Sequence, residues 1–122
     1  MNKNELNRLA YGSTLMDDGY TLWKDDKKRY KGYVVGGVEH ESVCEMDDGL
    51  GFRTLFDKYI NMLDVRNAYR TLGIGTWVDE GKIFFDIVQH VDDEKDAIAM
   101  CVMRGEKAYF DILEQKSVYL TK

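Results

Sequence analysis

Proline is absent from the 122 residues of the chain, which removes slow X-Pro isomerisation as a folding step. Cysteine and histidine are scarce, with Cys44, Cys101, His40 and His90 the full complement. A structural zinc site draws four nitrogen or sulfur ligands from close pairs. Here the candidates are scattered, so surface histidine and buried thiol describe them better, and no metal is expected. The two cysteines lie far apart and no apolar leader follows Met1, so free thiols in a cytoplasmic protein are the expectation. Nowhere do apolar residues run on for the roughly 18 positions that a membrane-crossing helix needs, so no membrane partner is expected. A surplus of positive charge is missing as well. The 17 basic and 22 acidic residues leave a net charge of −5. That argues against nucleic acid as a partner, because phosphate neutralisation supplies most of a duplex binder's affinity. A small phosphorylated ligand needs only a few placed cations, and the same balance leaves it open.

What the chain does have is an ordinary globular composition, 44% hydrophobic and 32% charged, which argues against disorder. Its length suits one domain, burying roughly two-thirds of the surface that the unfolded chain exposes. Residues 1–18 are polar with a weak helical pattern (Leu6, Leu9, Ala10). They form an arm or short helix ahead of a single domain over residues 19–122. Residues 20–23 and 32–35 are rich in strand formers and predict a hairpin around a solvated turn at 24–29. Residues 38–49 are charged and irregular, with Asp47-Asp48-Gly49 placed to start a helix. Phe52, Leu55, Phe56, Tyr59, Ile60 and Leu63 follow at helical spacing on one face.

Residues 71–78 and 82–88 predict a second hairpin. A three-residue loop, Asp79-Glu80-Gly81, would set Val78 against Lys82 and Trp77 against Ile83. Ile83, Phe85 and Ile87 would then share one face, with Phe84 and Asp86 on the other. Asp92-Asp93-Glu94 predicts a second helix start, with Ala97, Ile98, Cys101 and Val102 buried and Arg104-Gly105 at the end. Two short strands, 108–112 and 118–120, close the chain. The order ββ-α-ββ-α-ββ predicts an α+β fold, a single antiparallel sheet built from hairpins with two amphipathic helices packed on it.

Catalytic motifs find no support in these residues. Ser13, Ser42 and Ser117 have no nucleophile elbow around them. Asp47-Asp48 and Asp92-Asp93 are explained as helix starts. Gly73-Ile74-Gly75 lacks the third glycine and the helix of a dinucleotide fingerprint. Such glycines more often let a bulky neighbour, Phe85 or Trp77, pack over the strand. A binder without catalytic residues or cofactor is therefore expected. Asp86 is the most suggestive residue, because it interrupts an apolar run and must be solvated, hydrogen-bonded or paired. It is either an outward strand position or a ligand contact beside Phe84. Arg66 and Arg70, four residues apart, would point the same way on a helical turn and could clamp a phosphate or diphosphate. Surface charges near a helix C-terminus are the more common reading of such a pair. A base stacked on Phe84 or Tyr33 would contribute roughly 1–3 kcal/mol.

Three stretches together resemble a family. They are Gly19-Tyr20-Thr21-Leu22 with Gly32-Tyr33-Val34-Val35, then residues 72–86 (Leu72-Gly73-Ile74-Gly75-Thr76-Trp77-Val78 onward), and the tail Asp92-Asp93-Glu94-Lys95-Asp96-Ala97-Ile98 with Lys107-Ala108-Tyr109-Phe110-Asp111. The pattern is similar to a group of small phage and prophage proteins, the anti-Thoeris sponge family, which sequesters a cyclic ADP-ribose signal made during bacterial defence. The resemblance covers nearly the whole chain after Met16, on motifs that are short and mostly structural. It implies a homo-oligomer in the cytoplasm of an infected bacterial host, holding a cyclic nucleotide at subunit contacts without cleaving it. The family's contact residues do not align one by one here. Tyr33 and Phe84 for the base, Arg66 and Arg70 for the diphosphate and Asp86 for a ribose hydroxyl are therefore chosen on chemistry. A phage inhibitor that binds a host defence protein through an acidic surface is the alternative, and a small hydrolase with unrecognised residues is a third class.

Overall fold

The computed structural model describes residues 2–25, 27–39, 41–65 and 71–120. These contain three helices, α1 (Lys3–Asp17), α2 (Gly49–Val65) and α3 (Glu94–Arg104), and seven strands. The strands are β1 (Gly19–Trp23), β2 (Tyr33–Val35), β3 (Ser42–Glu45), β4 (Leu72–Asp79), β5 (Lys82–Val91), β6 (Ala108–Asp111) and β7 (Lys116–Tyr119). All pair antiparallel in one sheet, in the order β1-β4-β5-β2-β6-β7. β4 lines one edge of β5. The other edge is shared, with β3 on residues 82–85 and β2 on residues 89–91. β2 and β3 are therefore collinear, and residues 36–39 leave the sheet after β2.

The α+β class and the single antiparallel sheet are as the sequence predicts. Three details differ. β1 and β2 do not pair with each other: β1 joins β4, where its Trp23 opposes Gly73, and β2 lies between β5 and β6. β3 occupies part of the segment expected to be irregular, since β5 supplies the backbone partners that its own short sequence cannot advertise. The β4–β5 loop has two residues, so Asp79 opposes Lys82, Val78 opposes Ile83 and Trp77 opposes Phe84. Glu80 and Gly81 both take positive φ, 50° and 77°, the conformation that matches strand twist in a two-residue hairpin. The alternation of faces along β5 is unaffected.

Ile83, Phe85 and Ile87 of β5, with Ile74 and Leu72 of β4, are buried beneath Phe52, Phe56, Tyr59 and Leu63 of α2. Each such side chain fully buried contributes roughly 1.5–3 kcal/mol. Phe52 and Tyr59 meet Phe85 at ring separations of 4.9 and 5.6 Å. Asp48 opens α2, its Oδ1 accepting from the Gly51 N–H at 2.8 Å. The N-terminal segment is a full helix in which Ala10 joins this same core. Its Thr14 hydroxyl lies 2.6 Å from that of Thr76 in β4.

Asp93 caps α3 and Gly105 ends it at φ 70°. Ala97 and Cys101 pack on Val35 and Tyr109, whereas Ile98 and Val102 are 39% and 67% exposed. The short β2 and β6 cover only the inner edge of the helix, so half of its expected stripe faces outward. Strand pairing puts Val35 and Tyr109 on the same side of the sheet as Ile87, so all three helices cover one face. No helix among the described residues is long and apolar enough to cross a membrane.

Candidate functional site

The other face of the sheet carries no helix. Alternation along β5 directs Phe84, Asp86, Val88 and His90 there. Register adds Trp77, Gly75 and Gly73 of β4, Trp23, Thr21 and Gly19 of β1, Val34 of β2, and Phe110 and Ala108 of β6. A cleft of about 940 Å³ lies over this face. Its floor is apolar, with Trp23, Val88 and Ile112 buried and Val34 and Phe110 against them. Gly73 and Gly75 make that floor possible. A Cβ on Gly75 would stand 2.8 Å from Val88 Cγ1, and one on Gly73 2.8 Å from Trp23 Cε3. The neighbours that these glycines admit are thus Val88 and Trp23, in place of the expected Phe85 or Trp77.

Asp86 is the one charged residue in the floor of β5. It is 4% exposed. Its Oδ2 accepts a 2.8 Å hydrogen bond from the Gly37 N–H, while Oδ1 has no protein hydrogen-bond partner. Burial pushes its carboxyl up to about 6, opposed by the backbone N–H groups of Gly37 and Ile87 and assisted by the charges on Glu106 and Glu41. Glu106, from the turn after α3, approaches across Gly36. A Cβ on Gly36 would fall 2.5 Å from Asp86 Oδ2 and 2.9 Å from Glu106 Oε1, so only glycine allows the two acids to meet there. Both acids and Gly36 line the cleft.

The rim on the Trp23 side is basic. The β1–β2 connection brings Lys27, Lys28 and Arg29 to the cleft. Arg29 is held by both oxygens of Asp25, at 2.9 and 3.0 Å, and lies 5.1 Å from the Trp23 ring. That guanidinium holds the Asp25 carboxyl down at about 2. The cleft thus offers aromatic surface, a cationic rim and a buried acid with unused acceptor capacity.

Of the residues singled out from sequence, Asp86 lies in the cleft, and Phe84 is on the same face, stacked at 5.7 Å and 11° on Trp77, a lining residue. Tyr33 points to the helix-covered face, its ring 5.7 Å from Tyr109 beneath α3. Arg66 and Arg70 lie outside the described residues, as does His40. Sequence reasoning did not find Trp23, Glu106, Gly36 or Lys27–Arg29 as one site. From sequence, nothing marks Gly36-Gly37 as part of a site, and the basic run reads only as a solvated turn. Among the described residues, no group of three or more His, Cys, Asp or Glu side chains is placed to hold a metal ion. No protein-family model matches the sequence, and no curated protein or solved structure matches it.

Proposed function

We propose that the protein binds a small nucleotide-type molecule of the cyclic ADP-ribose class in the helix-free cleft and holds it intact, acting as a trap for a defence signal during phage infection. The observation that carries a ligand site is Asp86. A buried carboxyl that ionises near neutral pH costs stability, and one with an unpaired oxygen costs more. Groups kept against such a cost concentrate where a ligand completes them. The cleft volume of about 940 Å³ falls within the roughly 300–1,000 Å³ typical of small-molecule pockets. Trp23, Trp77 or Phe110 supply surface for a base, and Lys27, Lys28 and Arg29 supply charge for phosphates. The cyclic ADP-ribose class, the phage context and the homo-oligomer rest on the family resemblance. A trap works by mass action, and nanomolar strength corresponds to about −12 kcal/mol.

One observation favours a second reading, hydrolysis. Two carboxyls converge across Gly36, and the buried one is raised toward neutrality, the arrangement a general acid needs. Incubating the protein with cyclic ADP-ribose, then identifying bound and free species by mass spectrometry, separates the readings. Intact ligand released on denaturation supports the trap, and a linearised product supports the hydrolase. No ligand, from cyclic ADP-ribose or from nucleotide extract, with a host protein co-purifying instead, supports direct inhibition.

A further inference from the structure

We infer that the Asp86–Glu106 end of the cleft is a subsite for a positively charged nitrogen group on the ligand, an ammonium or amidinium. The inference rests on the small-ligand reading and deepens it. Three observations carry it. First, the two carboxyls come from separate elements, β5 and the turn after α3, and both lie within 2.9 Å of the single point where a Gly36 Cβ would be. One N–H-bearing group in the cleft can therefore reach both. Second, Asp86 is 4% exposed, its Oδ2 beside Glu106 accepts a single N–H, from Gly37, and its Oδ1, itself closed off from solvent, has no protein partner, so the carboxylate retains acceptor capacity that folding leaves unused. Third, neither acid has an ion-pair partner among the described residues. Arg104, close by on α3, donates instead to Gly36 O at 3.2 Å and Gln89 Oε1 at 2.6 Å.

The charged groups facing Asp86 are Glu106 and Glu41, and the backbone N–H groups of Gly37 and Ile87 oppose them. A ribose hydroxyl donates one hydrogen bond and leaves the two negative charges facing each other in a low-dielectric floor. An amidinium donates to both and cancels the repulsion. The cationic rim at Lys27–Arg29 then selects an anion at the far end of the same molecule. The ligand class is dipolar: a cationic or protonated amidine-bearing ring joined to phosphate. The protonated amino edge of an aminopurine is such a group.

The probe is benzamidinium, compared with its neutral isostere benzamide, each titrated into the ¹⁵N-labelled full chain. Benzamidinium is expected to shift the amide signals of Gly36, Gly37 and Asp86, and benzamide to leave them unmoved. Asp86→Asn and Glu106→Gln should each weaken benzamidinium binding about tenfold or more, the loss of one charge-assisted contact. The spectra of the variants report folding, and Glu106→Gln, on a half-exposed turn residue, keeps the test intact if Asp86→Asn perturbs the floor. Equal shifts from benzamide, no shift at Gly36 and Gly37, or undiminished affinity in Glu106→Gln would each overturn the subsite. Cyclic ADP-ribose is titrated alongside. Its failure to bind where benzamidinium binds removes the nucleotide reading alone, and the reverse result removes the cation subsite alone.

Discussion

Ionising Asp86 places a negative charge where only 4% of the residue meets solvent, with Glu106 and Glu41 adding repulsion. Because the folded-state value, about 6, exceeds the ordinary 3.8, folding takes up a proton between those limits. The native state is therefore favoured as pH falls through about 6, and this contribution is fully present below the ordinary value. It is lost as pH rises through about 6. Asp25 behaves oppositely, but its depressed value, about 2, confines its loss to more acid solution. Asp86→Asn keeps an acceptor for the Gly37 N–H and removes the charge. At pH 7.5 it should stabilise the protein by about 2–3 kcal/mol, measured by urea unfolding. Its advantage should shrink toward pH 5, and an unchanged or lowered midpoint at pH 7.5 would contradict the burial argument. Asp86 was legible as an anomaly because it breaks the run Ile83-Phe84-Phe85-Ile87-Val88. Glu106 was not, since nothing local distinguishes an acid after a helix-ending glycine, and only the packing of α3 on β2 brings it to Gly36.

Among the elements, α2 was readable in its start and its buried face, because its stripe repeats at 3.6 residues and Asp48 marks its start. Phe56, buried with Phe52, Tyr59 and Leu63, should cost about 3–5 kcal/mol when changed to Ala, visible as a fall in thermal midpoint. The collinear pair β2 and β3 was half-readable. β2 is rich in strand formers, but Ser42-Val43-Cys44-Glu45 is strand only because β5 extends past it, and a pairing partner leaves no mark on a short segment. The same non-local choice put β1 on β4 instead of β2. At the gap between β2 and β3, Gly36→Ala should cost about 1–3 kcal/mol, since the new Cβ would fall 2.5 Å from Asp86 Oδ2. Crystallography of that variant should show the Asp86 carboxyl turned from Gly37. Wild-type stability in the same variant, with the Gly37 bond intact, would show that the gap has more room than this geometry allows.

Over the whole molecule, a net charge of −5 repels an anionic ligand at long range, and Lys27, Lys28 and Arg29 are the cations that line the cleft, beside the acids Asp17 and Asp18. If the trap reading is right, replacing Lys27 and Lys28 together with Ala should reduce cyclic ADP-ribose affinity about tenfold in low salt and less at high ionic strength. Calorimetry across a salt series checks both, and a salt-independent affinity, equal in the two proteins, would remove the rim from binding. Charge balance was plain from composition, but its division between a basic rim and an acidic floor was not. That division depends on which strands meet across the sheet.

Stacking three helices against a single side gives the two surfaces of the sheet unequal duties. Cohesion resides under α1, α2 and α3, while positions such as Thr21, Phe84 and Ala108 contribute little to it. Selection can revise the latter while the scaffold persists. A deep mutational scan read for abundance should accordingly tolerate change at these three positions far better than at Phe52, Phe85 or Ile87.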